Sequence, residues 1–276
     1  MILFSLLVNT LLFARMHTVV SILPEKTFVT AIGGDKVDVT LMVLPGNSPH
    51  TYEPKPSQMK DIAKAKLYFS IGVEFENVWL TTFKDLNEKM QIIDLSKGIQ
   101  KQNITTKHPV ETTVHHAKDP HIWTSPTNVK QIATHIYDAL VLADQENKAY
   151  YKVHYETFIK EVEETDKTVR NILSKQPKGT KFMVFHPSWG YFAKAYGLIQ
   201  LPAELEGKSP KPKELIALIK EAKEEKISAI FTQPEFSDAI AKVLANELHI
   251  KVIKVSPLSP HWSENLLNIA HAIAGE

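Results

Sequence analysis

The chain has 276 residues, 43% of them hydrophobic and 23% charged, with a formal net charge of +1 and no cysteine. Near-neutral charge without a basic stripe argues against nucleic acid as a partner. The lack of cysteine excludes disulfides, thiolate nucleophiles and Cys-based metal centres. The length fits two compact lobes or one large α/β domain.

In chain order, the first feature is 1-MILFSLLVNTLLFA-14. It has the length of a secretory apolar region and is too short to span a bilayer. It predicts a leader over residues 1–16, removed so that the mature chain begins between about Arg15 and Val19. No Lys or Arg precedes the apolar run, and Leu12-Phe13-Ala14 departs from the small-x-small pattern of a cleavage site. No other segment is a transmembrane candidate.

Strand-like apolar runs then fall at residues 18–24, 39–46, 67–72 and 91–96. A second group falls at 181–187, 197–202, 228–234 and 251–257. Several are continuous rather than alternating, as suits parallel strands buried on both faces. Helical patterns lie at 57–65, headed by Ser57 as a cap, and at 211–226 and 237–248. Alternating strands and helices imply right-handed βαβ units and a parallel sheet in each half. Residues 101–119 are polar, Thr-rich and aperiodic, and read as a loop carrying His108, His115 and His116. Between the groups, residues 126–177 contain no Gly, and no Pro between their ends. They read as one helix to about Ala143 and a second, long one to about Ser174. At 1.5 Å per residue that second helix spans roughly 45 Å. It is either a rod between two lobes or a surface helix of one large domain.

There are twelve histidines, so most need no special role. Three stand at strand-to-helix connections: His50 in 45-PGNSPHTYEPKPSQM-59, His121 in 119-DPHIWTSP-126, and His186 at the tip of 181-KFMVFHP-187. In open α/β sheets, ligands bind at the carboxyl ends of the strands. Three neutral imidazoles converging there make a good zinc or manganese site and a poor hydrophobic core. Prolines beside His50 and His186 restrict the backbone. No HExxH helix, GxSxG elbow or GxxxxGK[ST] loop occurs.

Taken together, Leu44-Pro45-Gly46 through His50, Tyr52 and Glu53-Pro54, then Asp119-Pro120-His121-Ile122-Trp123, then His186-Pro187 with Tyr191-Phe192, carry a family likeness. They resemble the zinc- and manganese-specific solute-binding proteins of ABC importers (ZnuA/TroA-like, cluster A-I) from about Val19 to near the C-terminus. The resemblance implies an α/β protein of two lobes, each with a parallel β-sheet flanked by helices, joined by a long rigid backbone helix. The divisions are then a 17–144 N-terminal lobe, a 145–176 linking helix and a 177–276 C-terminal lobe. It also implies a periplasmic monomer that captures Zn2+ in the interlobe cleft and delivers it to an ABC permease in the inner membrane. By the family's motifs His50, His121 and His186 are the metal ligands, and a histidine at the third position resembles the zinc branch. The fourth ligand departs from the pattern. Many members have Asp in a D-P-L motif, but here 255-VSPLSPHW-262 places Ser256 there. Water, His261, His115 and His116 stand as alternatives.

The resemblance implies no enzyme activity. The alternatives are a Mn2+ or Fe2+ carrier of the same family, a three-histidine zinc enzyme, and a metal-independent adhesin.

Overall fold

A computed structural model of the chain describes residues 15–104, 118–204 and 210–276. The leader expected at 1–16 therefore lies almost wholly outside the described residues, as do His108, His115 and His116.

The first half runs β1 (Met16–Val20), α1 (Leu23–Gly33), β2 (Val37–Leu41), α2 (Pro56–Ile62), β3 (Leu67–Ser70), α3 (Glu74–Leu86) and β4 (Gln91–Asp94). Two helices follow, α4 (Pro126–Ala143) and α5 (Lys148–Leu173). The second half runs β5 (Lys181–Val184), α6 (Gly190–Tyr196), β6 (Ile199–Pro202), α7 (Pro212–Glu224), β7 (Ala229–Thr232), α8 (Ala239–Leu248), β8 (Lys251–Lys254) and α9 (Trp262–Ala274).

Each half builds a four-stranded parallel sheet, in the orders β2-β1-β3-β4 and β6-β5-β7-β8. Helices cover both faces, so the inner strands Leu67–Ser70 and Ala229–Thr232 are buried at every position. That is why their sequences run apolar without alternation. The edge strands β4 and β8 carry polar, exposed ends.

The eight expected strands are all present, with shifted ends. β1 stops at Val20 instead of running to Pro24, because Pro24 sits in the first turn of α1, where a missing N–H removes no helical bond. α2 opens with Pro56, so Ser57 is not its cap. The Gln58 side chain takes that role, accepting from the Lys55 N–H at 2.9 Å. Helices α1, α3 and α9 form where the sequence reading named none.

α5 is about 39 Å long at 1.5 Å per residue. Its buried stripe is Tyr151, Phe158, Val162, Thr165, Val169 and Leu173, at helical spacing. This stripe packs on α1, α4 and α9. Phe28 of α1 meets Phe158 at 5.4 Å and Trp262 of α9 at 5.7 Å between ring centroids. The last helix thus returns to the linking helix and the first lobe. One hydrophobic core runs through both halves, and a smaller one lies between the second sheet and helices α7 and α8.

Polar links also cross between the halves. The Trp123 indole donates to the Pro257 carbonyl at 2.7 Å, and the Trp262 indole to the Trp123 carbonyl at 2.8 Å. The Tyr191 hydroxyl accepts from the Gln102 N–H and donates to the Asp119 carbonyl, each at 3.0 Å.

Candidate metal centre

Both sheets reverse their winding beside a central strand, β1 in the first and β5 in the second. The crevice at the strand carboxyl ends is where such sheets bind ligands. His50 stands in the connection after β2. That connection begins with a turn whose Pro45 and Gly46 occupy the positions a type II turn demands. Gly46 has φ +80°, and the Asn47 N–H reaches the Leu44 carbonyl at 3.1 Å. His121 precedes a single 3₁₀ turn (Ile122–Thr124) that leads into α4. His186 lies just past β5.

These loops bring the three rings together. Centroids are 4.9 Å apart for His50 and His186, 5.3 Å for His121 and His186, and 6.3 Å for His50 and His121. One nitrogen from each lies within 4.8 Å of the others. His121 and His186 are buried, and His50 is half-buried.

Each ring has a carboxylate on its Nδ1. Glu74, the first residue of α3, meets His50 Nδ1 at 3.0 Å. Asp119 accepts from His121 Nδ1 at 2.7 Å and also from the His121 backbone N–H at 2.9 Å. Glu204 meets His186 Nδ1 at 2.5 Å. A carboxylate accepts only, so each Nδ1 carries the proton and each Nε2 keeps its lone pair. His50 Nε2 and His186 Nε2 face each other at 3.2 Å. Two bare lone pairs repel at that separation, and a shared proton or a cation between them relieves it.

The local electrostatics follow from these pairs. Burial pulls the His50 pKa down, but the Glu74 hydrogen bond and charge, with Glu204 behind them, raise it overall. Burial holds His186 below the ordinary histidine value, with Glu204 opposing and the other two histidines reinforcing the drop. Burial pushes Glu74 up, but its bond to His50 and the charge of that ring bring it below the usual carboxylate range.

None of the three carboxylates was assigned a role from sequence. Asp119 stands two residues before His121 in 119-DPHIWTSP-126, and that spacing is the one local signal for it. Glu204 becomes legible once β5 and β6 are paired. Val184 opposes Pro202, so two residues on, His186 and Glu204 leave their strands side by side.

The cavity between the halves has a volume of about 20 Å³ and is lined by the three histidines, Gln233, Glu235 and Phe236, with Pro49, Pro257 and Leu258 at its apolar parts. That is room for one water-sized body. Phe236 stacks on His186 at 4.8 Å. Ser256 is not among the residues that line this cavity. Its hydroxyl donates to Glu235 at 2.9 Å and accepts from the Leu258 N–H at 3.1 Å. His261 is exposed at the head of α9.

The fold has a counterpart among known proteins. The family model described as "Zinc-uptake complex component A periplasmic" (ZnuA) matches residues 18–273. The chain belongs to the ZnuA family. It is 30% identical over 249 residues to the high-affinity zinc uptake system protein ZnuA of Bacillus subtilis (strain 168), covering 86% of this chain and 76% of that protein. It is 28% identical over 263 residues to the zinc-binding protein AdcA of Streptococcus pyogenes serotype M3. That match covers 88% of this chain but spans only half the length of AdcA. A crystal structure of a ZnuA superposes with a TM-score of 0.87 at 40% identity, over 95% of this chain and 99% of that one. The two-lobed architecture with its linking helix is therefore the ZnuA fold.

Proposed function

We propose that this protein captures Zn2+ in the cleft between its lobes, through Nε2 of His50, His121 and His186, and delivers it to an ABC permease in the membrane. The observation that carries the reading is the set of three Nδ1–carboxylate pairs, which leave three lone pairs facing one small cavity. Ligating histidines characteristically hold the other ring N–H on a carboxylate, which fixes the tautomer and raises ligand basicity. Imidazole donors suit zinc, whereas manganese is better served by carboxylates and water.

The protein acts in the periplasm as a carrier and not as a catalyst. This follows the role named for the B. subtilis relative, a zinc uptake system protein. The apolar residues 1–14 serve as the export leader, and N-terminal sequencing of protein from intact cells tests this. A mature start between about Arg15 and Val19 is expected, and a cytoplasmic protein retaining Met1 would contradict it.

Release follows from the rigidity of α5. A 26-residue helix buried along one stripe does not hinge, so the cleft opens through small shifts of the lobes. Zinc titration against a competing chelator tests the ligand set. His50→Ala, His121→Ala and His186→Ala should each lose several orders of magnitude in affinity. His135→Ala, whose ring reaches the Leu95 carbonyl instead, should lose none. Wild-type affinity in all three cleft variants would place the site elsewhere.

A further inference from the structure

Two carboxyls are buried in the first lobe, away from the lining of the cleft cavity. Glu25 in the first turn of α1 has no exposed surface, and Glu76 in the first turn of α3 is 3% exposed. We propose that the two hold one proton between them, on Glu25 Oε1, and that this buried acid makes the fold of the first lobe sensitive to pH.

The geometry sets them on either side of one residue. Ser21, just past β1, gives its N–H to Glu25 Oε2 at 3.1 Å and its hydroxyl to Glu76 Oε1. The Ile22 N–H is a second donor to Glu25 Oε2, at 2.9 Å. The N–H groups of Ile71 and Gly72, just past β3, donate to Glu76 Oε1 and Oε2 at 3.0 and 2.8 Å. Each carboxyl thus closes the turn behind one of the two central, paired strands of the first sheet. Among the described residues neither makes an ion pair. The titratable groups that face them are the Tyr68 phenol from β3 and Asp94 at the end of β4, and neither is a cation. Two buried carboxyls that flank one serine without a counter-charge do not both ionise near neutral pH.

The hydrogen bonds decide which one keeps the proton. Glu76 collects a hydroxyl and two backbone N–H groups, spread over both oxygens, which favours its charged form. With Ser21 donating to Glu76, the Tyr68 hydroxyl at 2.8 Å donates to Ser21 and completes the chain. Glu25 has both of its donors on Oε2, while Oε1 is buried with no partner among the described residues. A charged oxygen left bare in the interior is the costlier arrangement, so the proton sits there. Burial and the charge of Glu76 hold Glu25 well above the ordinary carboxyl range, whereas Glu76 is raised to about 7.

The pair titrates as a unit. Glu76 gives up its proton first, and Glu25 keeps its own beyond that point. Both folded values lie above the unfolded ones, so the folded chain binds more protons. The stability this brings is present in acid and is lost as pH rises, and the loss continues above 7 through Glu25. One retained proton changes the folding equilibrium by about tenfold per pH unit. The lobe is therefore firmest in acid, the condition in which histidine metal sites empty.

Infrared difference spectroscopy of the metal-free protein, just above the Glu76 value of about 7, reads protonated carboxyls directly. The wild-type chain and Glu76→Gln should both show the carbonyl band of a buried, protonated carboxyl, and Glu25→Gln should lose it. In denaturant unfolding above pH 7, the folding equilibrium of the wild type should fall more steeply than that of Glu25→Gln, by about tenfold per pH unit. No such band in the wild type would overturn the proposal, and that spectrum decides even where Glu25→Gln fails to fold. A band that leaves with Glu76 and survives in Glu25→Gln, or equal slopes in the two proteins, would overturn it as well.

Discussion

At the scale of single residues, the site depends on which nitrogen of each imidazole carries the proton. The carboxylates of Glu74, Asp119 and Glu204 decide it for all three rings. Glu204→Gln keeps the shape of the His186 pair but removes its charge, and its amide can present an N–H to the ring. Zinc affinity should fall about 10- to 100-fold by chelator competition, as for other partners of ligating histidines, with no change of fold by circular dichroism. Binding also needs neutral rings. His50, whose pKa is raised, protonates at a higher pH than His186, whose pKa is lowered. Zinc affinity should therefore begin to decline above about pH 6.5, the unperturbed histidine value, and go on declining below it. Titrations across pH would read this, and an affinity flat from pH 8 to 5 would contradict it. The three histidines that meet in the cleft were legible in the sequence because each stands beside a proline at or near a strand-to-helix connection. Their carboxylate partners were not, because Glu74 and Glu204 reach the rings only through the pairing of distant segments.

At the scale of elements, the strands position the site and the helices hold the strands. Gly190 shows how tightly the two are joined. A Cβ there would lie 2.7 Å from Asp119 Oδ2 and 3.2 Å from Gln200 Nε2. Gly190→Ala should push Asp119 off His121 and weaken zinc by about the same 10- to 100-fold as loss of that partner. If its affinity stays at the wild-type value, Asp119 is not a positioning group. The linking helix makes a separate prediction. Proline at Ile159, within α5, removes a backbone bond and clashes with the preceding turn, costing about 3 kcal/mol or more. The melting temperature should drop accordingly, and an unchanged one would mean that the helix carries no structural load. Strand positions were legible because continuous apolar runs flanked by turn residues have few other uses. α9 was not read, because its partners lie on α5 and α1 and its pattern alone does not say what it packs against. The start of α2 was misread because Pro56 and Gln58 do what Ser57 was expected to do.

At the scale of the whole molecule, the cleft is closed by groups from both halves, and the halves are tied by one core and a few buried polar links. Tyr191 joins Gln102 and Asp119 across the cleft, and Trp123 and Trp262 lock α9 and the Pro257 carbonyl to the start of α4. The first lobe adds a buried carboxylate whose titration bears on stability. Glu76 accepts from the Ile71 and Gly72 N–H groups and from the Ser21 hydroxyl, yet burial raises its pKa to about 7. A carboxyl raised in the folded state binds more protons there than in the unfolded chain, so its contribution is present below the unfolded value and is lost as pH rises toward 7. Glu76→Gln should flatten the dependence of metal-free stability on pH between about 4.5 and 7. Denaturant unfolding over that range would show the same slope in both proteins if Glu76 were already ionised at its lower end.

The central claim is that one zinc ion is held between the lobes by His50, His121 and His186. Metal analysis of the purified protein after exhaustive dialysis tests it most directly. The account predicts one zinc per wild-type chain and little or none in His121→Ala, whose fold is intact by circular dichroism. A wild-type chain that retains no zinc, or a His121→Ala chain that retains a full equivalent, would contradict it.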